Sequence, residues 1–170
     1  MKVAKSKAIG LVELHTVFEI AHGNKFDLNK MTQCRVQDDA VAFVGRSGAK
    51  NGISAFVRRL ASADPFEKGL ITVALGGSTL SSFVQPRPFY TAQNIDVLKP
   101  HASMSLDAKL YYCLCIESNR FRYSTFGREA NRTLSQLLVP RPADLPKWIA
   151  GATEKAIADL NRDLLAASKV

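Results

Sequence analysis

Eight consecutive residues, Gly45-Arg46-Ser47-Gly48-Ala49-Lys50-Asn51-Gly52, gather three glycines, two cations and an asparagine. A segment of this kind brings backbone N–H groups and positive side chains close to a ligand, above all an anion. It is not a nucleotide phosphate loop, because no Gly-Lys-Ser/Thr closes it and the segment after it reads as a strand. Cations cluster around it: Arg46, Lys50, Arg58 and Arg59 lie between Ala40 and Ala63, a stretch without an acidic residue. A second group, Arg120, Arg122, Arg128, Arg132 and Arg141, is opposed only by Glu117 and Glu129. With a formal charge of +8 and a sequence pI near 9.6, the composition favours a polyanionic partner. Charge alone leaves two readings open, a nucleic-acid footprint and two solvated faces. The aromatics interleaved with arginines from Phe121-Arg122-Tyr123 to Gly127-Arg128 are equally two-sided, as base or phosphate contacts or as a packed loop.

The remaining reactive residue types argue against catalysis. Cys34, Cys113 and Cys115 do not make a disulfide framework, and on a helix Cys113 and Cys115 point to different sides, which removes Cys-x-Cys as a metal pair. His15, His22 and His101 are scattered without paired-ligand spacing, so no metal site is expected. No Asn/Asp-Pro-Pro-Tyr/Phe is present to position a flipped base, and no glycine-rich strand-to-helix turn to hold S-adenosylmethionine. Asp107-Ala108-Lys109 is an acid-x-Lys match without an acidic partner upstream, and no Gly-x-Ser-x-Gly marks a nucleophile. The expectation is a non-enzyme without cofactor.

Those residues have to be held by a core, and 170 residues at 46% hydrophobic composition suffice for one domain. No apolar run reaches spanning length, and the basic start Met1 to Lys7 lacks a signal peptide's apolar segment, so a soluble, cytoplasmic chain is expected. Leu70 to Leu75 is a β-branched run followed by the turn-forming Gly76-Gly77-Ser78; Phe83-Val84 and Ile95 to Leu98 are further strand pieces. Pro86 and Pro88 place the connection between them at an edge or in a loop. Ala40 to Val44 and Ile53 to Val57 read as strands flanking the glycine-rich loop, and Leu134 to Val139 as another apolar segment. Leu11 to Phe18 is short helix or strand; its periodicity does not decide. Ser105 to Ser118 predicts a helix capped by Ser105, with Leu106, Leu110 and Leu114 on the inward face. A final helix is predicted from Asp144 to Ala167, roughly 36 Å long at 1.5 Å per residue, with Pro146 in its first turn. Its apolar stripe is Trp148, Ile149, Ala152, Ala156, Leu160 and Leu164, a face suited to a partner helix or to the chain's own sheet.

The order of these pieces carries a resemblance. Gly45-Arg46-Ser47-Gly48 with Asn51-Gly52-Ile53, the strand before Gly76-Gly77-Ser78, Phe89, Asn94 to Pro100, Phe121-Arg122-Tyr123-Ser124 with Gly127-Arg128, and Leu138-Val139-Pro140 before a helix together resemble the target recognition domain of restriction-modification specificity subunits, of type I and related type II systems. The resemblance spans the chain from about Leu14 onward. It implies an α+β fold: a small mixed or antiparallel sheet with packed helices as a recognition domain over residues 1–141, then one long amphipathic helix over 142–170. It also implies a sequence-specific, non-catalytic reader of double-stranded DNA that serves a methyltransferase subunit and, through it, a restriction nuclease subunit. Full subunits carry two recognition domains and two helices, whereas this sequence has room for one of each; the resemblance therefore implies a half-subunit, a detached domain or a repurposed relative. Two copies pairing through the helix would restore the two-domain form. Arg46, Ser47, Lys50, Arg58, Arg59, Arg122, Tyr123, Arg128 and Arg132 are the candidate phosphate or base contacts, and Asn51, Gln85, Gln93 and Asn94 candidate readers of adenine. Each has a plainer reading as a turn or surface residue. The alternative for the whole chain is an interaction protein of the same fold, a scaffold or inhibitor, that binds a protein through its last helix.

Overall fold

The computed structural model describes residues 9–37, 39–123, 130 and 133–167. Its strands are β1 (Leu11–Glu13), β2 (Phe18–His22), β3 (Val41–Val44), β4 (Ile53–Val57), β5 (Ile71–Ala74), β6 (Ser82–Val84), β7 (Phe89–Thr91), β8 (Ile95–Pro100) and β9 (Leu138–Pro140). The α-helices are α1 (Leu106–Glu117) and α2 (Ala152–Ala167). Among the described residues the strands form an antiparallel sheet β2-β8-β5-β6, a mixed sheet β4-β3-β7 in which β3 and β7 run parallel, and the pair β1-β9. This is the α+β architecture expected.

Burial on both faces explains why β3 (Val-Ala-Phe-Val) and β5 (Ile-Thr-Val-Ala) are unbroken apolar or β-branched runs with every residue buried. One face of the four-stranded sheet packs on α1, through Phe18, Ile71, Val73 and Leu98 against Tyr112, Cys113 and Ile116. Its other side meets the mixed sheet, where Val97 joins Ala42, Val44 and Phe89. The outer face of the mixed sheet is covered by Phe26, Leu28, Met31, Leu60 and Ala63 around Tyr90.

One open reading is settled and two expectations are corrected. The region Leu11 to Phe18, left undecided between helix and strand, divides into β1, a 3-10 turn at Leu14–Thr16 and the start of β2. α1 is capped by Ser105, whose hydroxyl accepts from the Ala108 N–H, but Leu106, Leu110 and Leu114 are exposed and the inward row is Ala108, Tyr112 and Ile116 with Cys113. Both rows repeat every four residues; Tyr112 decides between them by meeting Phe18 edge-on at 5.2 Å while its hydroxyl donates to the Pro140 carbonyl. The last helix begins at Ala152, not Asp144: Pro142–Asp144 and Lys147–Ile149 are 3-10 turns, and Gly151 at φ +77 breaks the chain's direction before α2. Sixteen residues give α2 about 24 Å. No helix of the described residues is long and apolar enough to cross a membrane.

Candidate nucleic-acid interface

The glycine-rich loop is built by its own backbone. Gly45 N–H donates to the Gly52 carbonyl, Gly52 N–H to Ala49, and Ala49 N–H to the Ser47 hydroxyl. Lys50, Asn51 and Gly52 take left-handed φ values of 52°, 54° and 73° in succession. At Gly52 a side chain would be strained by the positive φ and crowded, since a Cβ would stand 3.1 Å from Val44 Cγ1 and 3.2 Å from the Gly45 carbonyl. The β3–β4 register shifts between Phe43 and Val44, so the loop leaves the sheet from a bulge. Arg46, Ser47, Lys50 and Asn51 are all exposed on it.

Strand directions bring further loops to the same end. Val44 lies opposite Ile53 and beside Thr91, so the glycine-rich loop and the β7–β8 connection leave the mixed sheet together. Ile95 pairs with Ala74 and Asp96 with His22, which adds the segments after β5 and after β2. Hydrogen bonds tie the loops: Ala92 N–H to Val44 O, Leu75 N–H to Asn94 O, Ser78 N–H to Arg46 O, and Gly23 N–H to Ile95 O. Gly77, at φ +70, lies under Arg46, whose Cβ would be 3.1 Å from a Cβ there. Arg120 reaches this end from beyond α1, donating to Thr79 O and to the Ser81 hydroxyl. Beside it Phe121 is 72% exposed, over a concavity of about 460 Å³ that Gly77, Ser78 and Tyr123 also line.

Of the candidate contacts, Arg46, Ser47, Lys50, Asn51, Gln93 and Asn94 share this end, and Tyr123 lines the same concavity as Arg120; Arg122 is exposed on the turn between them. Arg46 and Lys50 form no ion pair among the described residues. Arg58 and Arg59 do not join them: they follow the far end of β4, about 16 Å along the strand at ~3.3 Å per residue, and Arg59 pairs with Asp64 at 2.6 Å. Gln85 is a correction. It is wholly buried, and its amide donates to the Asn51 carbonyl at 2.9 Å and to Thr72 Oγ1 at 2.8 Å, so it braces the loop from behind and has no surface with which to read a base. The Tyr123 hydroxyl is engaged by Thr133. Arg128 and Arg132 lie outside the described residues.

Sequence reasoning passed over His22 and Lys25, which stand at this end. His22 showed no paired spacing in the sequence because its partner, Asp96, is distant in sequence and adjacent only through β2–β8 pairing. Among the described residues no group of three or more His, Cys, Asp or Glu could hold a metal ion. Burial pushes the Cys113 thiol up to about 12, which removes it as a nucleophile.

The second candidate surface is α2 and what precedes it. Trp148 is exposed and meets Tyr111 edge-on at 5.9 Å, and Leu160 and Leu164 are 58% and 59% exposed. Ala156 is also exposed and Ala152 half-buried. Ile149 is a correction: it is 5% exposed, enclosed by this chain and unavailable to a partner. Ile157, outside the predicted stripe, is 54% exposed, and Ile157, Leu160 and Leu164 follow the three-then-four spacing of a coiled-coil seam. Asp107 of α1 caps α2 from outside, accepting from the N–H groups of Gly151 and Thr153 and from the Thr153 hydroxyl. These bonds, the Thr153 hydroxyl first, hold the Asp107 carboxyl below its ordinary value.

Residues 9–144 match the family model described as the type I restriction modification DNA specificity domain. Solved structures share the fold. The S subunit of a type I restriction-modification system from M. genitalium has a TM-score of 0.58 and 17% identity over 95% of this chain and 41% of that one. A chain from a structure concerned with complex assembly and conformational transition of the type I R-M system gives 0.64 and 15%, over 97% and 44%. The HsdS subunit from Thermoanaerobacter tengcongensis gives 0.63 and 12%, over 95% and 42%. The chain thus spans about two fifths of the length of the solved chains it resembles. A search of curated proteins gives no match.

Proposed function

The chain belongs to the type I restriction modification DNA specificity domain family, and from that premise we propose that it reads a sequence in double-stranded DNA on behalf of a separate methyltransferase, without chemistry of its own. The observation that carries the reading is the convergence of loops from both large sheets on one end, with Lys25, Arg46 and Lys50 exposed there. Lysine and arginine neutralise phosphates, and arginine, asparagine and glutamine pair with base edges through two hydrogen bonds. Residues 1–141 act as the recognition unit and residues 142–170 as the docking element. Exposed Ile157, Leu160 and Leu164 support a helical partner, either the same helix of a second copy or a methyltransferase subunit, through which a restriction nuclease is recruited. Pairing of two copies would place two recognition units on one pair of helices.

The test is duplex binding as a function of salt. The logarithm of the binding constant should fall with the logarithm of salt with a slope near −0.9 for each phosphate neutralised. Arg46→Ala or Lys50→Ala should reduce that slope by about one phosphate each and leave the thermal midpoint unchanged. Binding that is flat between low and physiological salt rejects the electrostatic footprint. A chain that binds no duplex yet retains a helix-mediated protein partner is the interaction protein of the alternative reading.

A further inference from the structure

Asp96 occupies a position where the sheet calls for an apolar side chain. It shares a face of β8 with Leu98, which is fully buried in the core under α1, and its own side chain is 4% exposed. A carboxylate is costly to bury unless hydrogen-bonded. Its bond is to Nδ1 of His22, 2.8 Å away on the neighbouring strand, and the His22 side chain is 72% exposed. The carboxylate adds nothing to apolar packing; it aims the ring. With Asp96 accepting from Nδ1–H, the neutral imidazole has one tautomer, and Nε2 carries a lone pair at the exposed end of the ring. Lys25 and Asn94 border the same concavity, of about 260 Å³.

Resting on the recognition reading above, we propose that His22 is a base-reading residue: its Nε2 accepts a hydrogen bond from an exocyclic amine of adenine or cytosine in the major groove, and Asp96 is its positioning residue. The groove offers amine donors at adenine N6 and cytosine N4. Lys25, Arg46 and Lys50 cannot use them, because ammonium and guanidinium groups only donate. A phosphate anchor needs charge and little direction, whereas base reading needs a group held at one angle, which is what a buried carboxylate behind an exposed ring supplies.

The experiment selects preferred sites for the full chain from a randomised duplex pool and repeats the selection with His22→Ala and Asp96→Asn. His22→Ala should lose about tenfold in discrimination at one base pair, with the salt slope and the preference at other positions unchanged. Asp96→Asn should relax the same base pair, and the double variant should lose no more than His22→Ala alone, which a merely structural role for Asp96 would not produce. A duplex lacking the exocyclic amine at that position should weaken the wild type and leave His22→Ala unaffected. Uniform weakening across sequences with a salt slope lower by about one phosphate makes His22 a phosphate anchor and overturns base reading. An unchanged preference in His22→Ala overturns the inference and leaves the recognition reading standing; a wild type without sequence preference overturns both.

Discussion

Gln85 spans the distance between a core strand and the exposed loop, with its amide nitrogen shared between Thr72 and the Asn51 carbonyl. Among the described residues its carbonyl oxygen Oε1 is buried without a hydrogen-bond partner. The bond to the Asn51 carbonyl braces the left-handed run Lys50-Asn51-Gly52. Gln85→Ala should therefore destabilise the fold by about 1–3 kcal/mol, the range for a lost buried hydrogen bond, and weaken DNA binding indirectly by releasing the loop. Urea unfolding measures the first effect, and a duplex titration at a temperature where the variant remains folded measures the second. A variant of unchanged stability would show that the loop holds itself.

At the scale of elements, the joint between α1 and α2 is governed by one carboxylate. Asp107 lies in the first turn of α1, where an acid already suits the helix dipole, and it also satisfies N–H groups at the start of α2. Gly151 gives the chain the left-handed turn that brings those groups to it. Asp107→Ala should leave the recognition unit folded and fray α2 from its first turn, seen as faster amide exchange at Thr153 to Ala156. Acid should act in the same way. Since the folded carboxyl titrates below its ordinary value of 3.8, its contribution is complete above that pH and is lost as pH falls through the lower folded value. Exchange in α2 that is unchanged by the substitution would assign the joint to Trp148 and Tyr111 instead.

For the molecule as a whole, the association proposed would use a face that the described residues leave exposed. Ile157, Leu160 and Leu164 are all more than half exposed on one side of α2, and a three-residue apolar seam on a 16-residue helix has little reason to stay in water. Leu160→Asp/Leu164→Asp should convert any self-associated wild type to monomer in sedimentation and abolish methyltransferase capture. The folding free energy of the recognition unit should hold within about 0.5 kcal/mol, as for surface substitutions elsewhere. Global unfolding of the double variant, or a wild type that stays monomeric at high concentration and captures no methyltransferase, would defeat the docking role.

Local composition by itself determined several of the strands, though not β1, β2 or β7, and the loop chemistry. Apolar and β-branched runs at Val41–Val44 and Ile71–Ala74 read as strands, which the structure buries on both faces, and three glycines among cations read as a polar loop. The family order was legible for the same reason, since its pieces are short and contiguous. What the tertiary structure decided are matters of facing and of distance along strands. Two rows of α1 repeat with the same period, and the tyrosine that finds both an aromatic neighbour and a carbonyl acceptor settles which row turns inward. Arg58 looks close to Arg46 in sequence, but an antiparallel hairpin carries it to the opposite end. Gln85 resembles a surface reader until its surroundings are closed over it, and His22 acquires a partner only when β2 pairs with β8. Sequence periodicity reports which residues share a face; it carries no information about what that face meets, because the meeting is made by residues far away in the chain.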